Sequence, residues 1–161
     1  MDYSLFLLFL MACAAAGATG AMFPPGEWYK KLEKPWFTPP DWAFPLAWTT
    51  IYLLISFAGA RAANFEGNAF AMAFWATQAG FATLWTPVFF GLRRFKASLV
   101  VMGFLWISVA GSTISHLMLD FWAGLAFVPY LAWVSVAAAL NTSIWRLNPN
   151  VEPLHPDKIE L

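Results

Sequence analysis

Residues 97–145 read ASLVVMGFLWISVAGSTISHLML-D-FWAGLAFVPYLAWVSVAAALNTSIW, and Asp120 is the one charged residue in the stretch. The two uncharged runs, Ala97–Leu119 and Phe121–Trp145, are each long enough to carry a helix across a hydrocarbon core, which takes about 20 residues at about 1.5 Å of rise each. A single residue between them leaves room only for a tight turn. The stretch therefore reads as an antiparallel hairpin of two membrane helices.

The same punctuation continues outward. Arg93–Lys96 precedes the hairpin, and Tyr3–Gly26, Trp42–Ala60 and Gly67–Leu92 are further uncharged runs, separated by Glu27–Asp41 and Arg61–Glu66. Composition agrees: 60% of the 161 residues are hydrophobic and 11% charged, against about 45–50% and about 25% in soluble domains. Runs this long exceed the roughly 10-residue strands of a membrane barrel, and their alternation is missing. The expectation is an all-α, integral membrane bundle of five transmembrane helices forming a single domain, 1–161. The helices fall at about 3–26, 42–60, 67–92, 97–119 and 121–145, with a lid loop at 27–41 and an irregular C-terminal tail at 148–161 that holds Pro149, Pro153 and Pro156.

Lys30, Lys31, Lys34, Arg93, Arg94, Lys96, Arg146 and Lys158 fall on one side of such a bundle and Arg61 alone on the other. The positive-inside rule then puts the N-terminus outside and the C-terminus in the cytoplasm. Net charge is zero, which leaves no nucleic-acid footprint.

Ionisable chemistry is sparse. His116 and His155 belong to opposite sides of the membrane and cannot share a metal. No Asp or Glu lies inside an uncharged run, so the proton relays of ion-coupled transporters are missing, as is a Ser-His-Asp arrangement. Cys13 is the sole cysteine and reads as a small apolar residue of the first helix.

Aromatic residues carry the information instead, with 10 Trp and 16 Phe. Interfacial anchoring accounts for Trp28, Trp42, Trp122 and Trp145 at the ends of the runs, and Trp75 and Trp106 are expected to face lipid. Phe44, Trp48 and Tyr52 stack at i, i+4, i+8 on the second span. Ala82, Trp85 and Phe89 do so on the third, and Trp133, Ala137 and Leu140, with Asn141 beside them, on the fifth. Rings opposite small residues leave a slot for a flat apolar ligand, although ordinary helix packing produces the same stripes. Pro45, Pro87 and Pro129 lie in these three spans and are expected to bend them. Ala69/Ala73 and Ala76/Gly80 are small-xxx-small pairs on the third span, a pattern that lets helices of two copies, or of one, approach closely.

Five spaced motifs, in order, resemble one family. They are Lys34-Pro35-Trp36-x-x-Pro39-Pro40; Phe44-x-x-x-Trp48-x-x-x-Tyr52; Leu84-Trp85-x-Pro87-x-Phe89-Phe90-Gly91; Trp122-Ala123-Gly124 with Pro129-Tyr130-x-x-Trp133; and Leu140-Asn141 with Arg146-Leu147-Asn148. Together they resemble the TspO/MBR family, the tryptophan-rich sensory or translocator proteins also called peripheral-type benzodiazepine receptors, in its bacterial branch. The resemblance implies a homodimeric five-helix bundle, and the small-xxx-small pairs place its contact on the third helix. It also implies a pocket, capped by the first loop, for porphyrins or heme, sterols and benzodiazepine-site drugs. Its residues here would be Trp36, Phe44, Trp48, Tyr52, Trp85, Phe89, Phe90, Trp133, Ala137 and Leu140. No cofactor is required; porphyrin enters as ligand. The resemblance further implies, as an alternative, light-dependent oxidative degradation of porphyrin with Trp48 and Trp133 taking part. Two positions depart from the family pattern. Ala82 stands where Asn is common, leaving Gln78 as the nearest polar substitute, and Thr142 stands where a sterol motif has Tyr.

Overall fold

The structure, a computed structural model, describes residues 2–154. Asp2 opens the first helix, α1 (Tyr3–Met22), by accepting from the Ser4 and Leu5 N–H groups at 2.9 and 3.2 Å. Only Cys13 and Ala16 of α1 are buried. Its outward faces are as apolar as its inward one, and such a helix needs lipid around it. Pro24 and Pro25 stop it short of the expected end, and the lid loop contains one helical turn, α2 (Glu27–Lys30).

Next come α3 (Ala43–Ala62) and α4 (Ala69–Thr86), the latter running into a π-helical turn at Pro87–Gly91. The long α5 (Phe95–Leu119) is followed by the short α6 (Phe121–Leu125) and by α7 (Val128–Leu147). No strand occurs among the described residues. Among the described residues, four helical passages are long and apolar enough to cross a membrane: Tyr3–Met22, Ala43–Ala62, Phe95–Leu119 and Phe121–Leu147. The protein is a multi-pass membrane protein. α4 has the length but carries Thr77, Gln78, Thr83 and Thr86 and is not in that set.

Two of the three prolines expected to bend spans instead sit at helix starts. Pro45 sits in the first turn of α3 and Pro129 in the first turn of α7, where the missing N–H would have had no helical partner. Pro87 marks the change from α to π geometry, and the Leu92 N–H returns to the Pro87 carbonyl at 2.8 Å. The fifth run is not one continuous helix, because Ala126 and Phe127 break it ahead of Pro129.

The bundle closes in sequence: α1 packs on α3 and α4, α4 along α5, α5 along α7, and α6 reaches across to α3. α3 and α7 touch only lightly. At the turn end of the bundle Asp120 does three things. Its N–H ends α5 on the His116 carbonyl (2.8 Å), its carboxylate caps α6 at the Ala123 N–H (2.8 Å), and it takes a two-pronged ion pair from Arg61 of α3. The Arg61 guanidinium, more than any other neighbour, holds the Asp120 carboxyl below the usual aspartate range. α6 can double back so closely only because residue 124 is glycine: a Cβ there would lie 2.5 Å from the Leu117 backbone nitrogen.

At the opposite, loop end, the first loop is clamped to α7. The Glu33 N–H donates to the Asn148 side-chain oxygen (3.0 Å), and the Asn148 amide donates back to the Glu33 carbonyl (2.9 Å). The Leu154 N–H reaches the Leu92 carbonyl at 2.9 Å, so the non-helical segment after α7 folds over the same end. The expectations for 155–161, including His155, lie outside the described residues.

Candidate ligand-binding seam

The four-residue spacing of Phe44, Trp48 and Tyr52 puts three rings on one face of α3, where they meet α7. Phe44 stands edge-on to Trp133 with centroids 5.5 Å apart, and Trp48 edge-on to Tyr130 at 5.9 Å. Trp48 also leans on Tyr52 at 5.5 Å. The two helices are thus held mainly through interlocked aromatic side chains. Edge-to-face pairs contribute about 0.5–1.5 kcal/mol each beyond their area, and rings can rotate apart more readily than meshed backbones.

Beside these rings, between α3 and α7, is a cavity of about 400 Å³ lined by Ala47, Thr50, Ile51, Pro129, Ala132, Trp133 and Val136. Its size falls in the range of small-molecule sites. Thr50, Ala132 and Val136 are exposed, so it opens sideways, toward the surroundings of the bundle rather than toward either end. Ala137 is half-buried and packs with the same core as Trp48, Tyr52 and Trp133, and Leu140 is buried.

Trp85, Phe89 and Phe90 form a second group, beneath the lid loop. Trp85 stacks on Phe89 (5.0 Å, 21°), and its indole N–H donates to the Asn141 side-chain oxygen at 3.1 Å. The same oxygen accepts from the Ser98 hydroxyl at 3.0 Å, tying α4, α5 and α7 together. Phe89 is almost wholly buried among Tyr29, Trp28 and Phe95, and Phe90 meets Tyr29 at 5.2 Å. Burial, and secondarily the Asp41 charge, pushes the Tyr29 phenol up, so it stays neutral. Among the described residues, Trp85 is the one ring packed against both clusters.

Several positions differ from expectation. Trp36 is 95% exposed, touches Phe37, and takes no part in either group. Trp28, expected as a membrane anchor, packs inside the second group under the Arg93 guanidinium (4.9 Å). Trp42 and Trp122 are exposed, as anchors are. Trp75 does not face lipid: it is 6% exposed, stands 4.6 Å from the Phe9 ring, and donates to the Ile55 carbonyl at 2.9 Å. Gln78 is buried with its amide nitrogen unpartnered, and Ala82 joins the seam's core cluster. The Thr142 hydroxyl is spent on the Ala138 carbonyl. Lys34 lies over the Tyr29 ring (4.5 Å), and Arg146 is exposed. Tyr130 was not among the expected site residues, although it adjoins Trp48; only its place one helical turn before Trp133 could have signalled it.

Known proteins match along nearly the whole chain. The profile of the TspO/MBR family covers residues 8–146. The tryptophan-rich sensory protein of Cereibacter sphaeroides is 51% identical over 93% of this chain and 95% of its own length. Protein CrtK of Rhodobacter capsulatus is 48% identical over 96% and 99%, and the human translocator protein 28% identical over 87% and 88%.

Proposed function

The chain belongs to the TspO/MBR family, and on that premise we propose that it is a membrane receptor for porphyrins and related flat apolar ligands, such as sterols and benzodiazepine-site drugs, acting in sensing or transport. The observation that carries this reading is the α3/α7 seam, where Phe44 meets Trp133 and Trp48 meets Tyr130 edge-on beside a laterally open cavity. A tetrapyrrole offers flat faces to the rings, and insertion replaces ring–ring contacts with ring–ligand contacts of the same kind. A ligand dissolved in the bilayer reaches such a groove from the side. Lys34 and Arg146 stand at the loop end, where porphyrin carboxylates would meet cations.

In this reading α4 is a fifth crossing, and the basic loop end faces the cytoplasm, which puts the N-terminus outside. Two copies associate along α4, where Ala69, Ala73, Ala76 and Gly80 are exposed and a Cβ on Gly80 would meet nothing within 4 Å. The test is titration of the purified protein in detergent with protoporphyrin IX, heme and cholesterol, following tryptophan fluorescence. Saturable quenching by the tetrapyrroles is expected, and its absence would leave only a scaffold whose aromatics pack.

Because the Trp133 ring lines the cavity, a second reading is light-driven oxidation of bound porphyrin by dioxygen. It requires a new absorbing product upon illumination in air, lost in Trp48→Phe and Trp133→Phe while porphyrin still binds.

A further inference from the structure

Tyr130 is fully buried, and its hydroxyl has no hydrogen-bond partner. Buried hydroxyls are nearly always paired, and one left unpaired disfavours the empty protein. The residue lies in the first turn of α7, directly after Pro129, with its ring 5.9 Å from that of Trp48 across the seam. Pro129 itself lines the cavity. Among the described residues, Tyr52 and Cys13 are the ionisable side chains that bear on Tyr130. Neither supplies the missing bond, and the Ser56 hydroxyl beside Cys13 (3.6 Å) is committed to the Tyr52 carbonyl at 2.6 Å. No cation is among these neighbours.

We propose that the Tyr130 hydroxyl is the polar anchor of the seam, donating to a neutral oxygen acceptor (carbonyl or hydroxyl) on a flat apolar ligand that parts α3 from α7; this rests on the seam being the ligand site. A ligand that displaces Trp48 from Tyr130 exposes the hydroxyl to its own edge. The missing partner then comes from the ligand, and the bond forms where no water competes for it. A carboxylate is a poor occupant, because burying an anion among Tyr52, Cys13 and Trp48 with no cation at hand carries a heavy desolvation penalty. Porphyrin propionates accordingly remain at the loop end, and the seam favours ligands with a neutral oxygen at the buried edge.

The probes are a steroid ketone, progesterone, and its oxygen-free parent hydrocarbon, pregnane, measured by competition against protoporphyrin IX quenching for the wild type and Tyr130→Phe. Removing one buried hydrogen bond should weaken progesterone about three- to thirtyfold while leaving pregnane within about twofold. The melting temperature of empty Tyr130→Phe should equal or exceed that of the wild type, since only an unpaired hydroxyl is lost. Unchanged progesterone affinity in the variant overturns the assignment. So does a melting temperature lowered by several degrees, which would show the hydroxyl already partnered in the empty protein. Failure of both steroids to compete with a porphyrin that still binds overturns it as well. Loss of porphyrin quenching altogether would instead remove the seam as the ligand site.

Discussion

Trp75 and Trp106 occupy similar places in the sequence, each well inside an uncharged run, and they do opposite things. Trp75 fills the junction of α1, α3 and α4 and donates to a main-chain carbonyl of α3, whereas Trp106 is 41% exposed and bonds the Ser135 hydroxyl on the outside of α7. Trp75→Ala should therefore lower stability by about 3–5 kcal/mol, seen as a markedly reduced melting temperature in detergent. Trp106→Ala should change it by less than about 1 kcal/mol; equal losses would contradict the packing described. The i, i+4 spacing was enough to align Phe44, Trp48 and Tyr52, because one helix turn fixes which residues share a face. It could not orient Trp75, because that depends on which neighbour, α1 or lipid, covers the face. Trp36 fails for a related reason: its loop is tethered at Trp28–Leu32 and at Glu33, and nothing printed along the chain sets where the following turn points.

Among the elements, the α5–α6 turn is the most determined by its own sequence. Asp120→Ala removes an N-cap, about 0.5–2 kcal/mol, and a partly exposed ion pair of about 0.2–1 kcal/mol. A loss of roughly 1–3 kcal/mol is expected by thermal unfolding. The sign of the pH effect follows from the carboxyl lying below its ordinary value of 3.8. The stabilisation is fully present above that value and is lost as pH falls through the depressed one. Wild type should thus lose melting temperature on acidification below about pH 4, more steeply than Asp120→Asn; parallel curves would mean the Arg61 pair contributes nothing. The dimer proposed along α4 is tested at its exposed small residues. Ala76→Phe should shift the protein toward monomer on sizing in detergent, and an unchanged dimer would move the interface to another helix. The turn was legible because a lone charge between two apolar runs has one structural use. The break at Ala126–Phe127 was not, since nothing in an apolar run distinguishes a proline that bends a helix from one that begins a new one.

For the whole molecule, charge placement and run length settled the all-helical membrane architecture, and they placed Arg61 and Asp120 at the end opposite the basic loops. They could not show that α3 and α7 touch only lightly while α5 packs closely along both α4 and α7, because a gap between helices leaves no local mark on either. A reporter fused after Leu161 should be active only in the cytoplasm; activity outside would invert the orientation. The proposed function places the ligand in the α3/α7 seam. Its most direct test is the affinity for protoporphyrin IX of wild type, Trp48→Ala, Trp133→Ala and the outward-facing Trp106→Ala, read by fluorescence titration in detergent. Loss of a stacking surface and its buried area should weaken Trp48→Ala and Trp133→Ala roughly 10- to 1000-fold, with Trp106→Ala within about threefold. Wild-type affinity at both Trp48→Ala and Trp133→Ala, or the same loss at all three positions, would contradict the account.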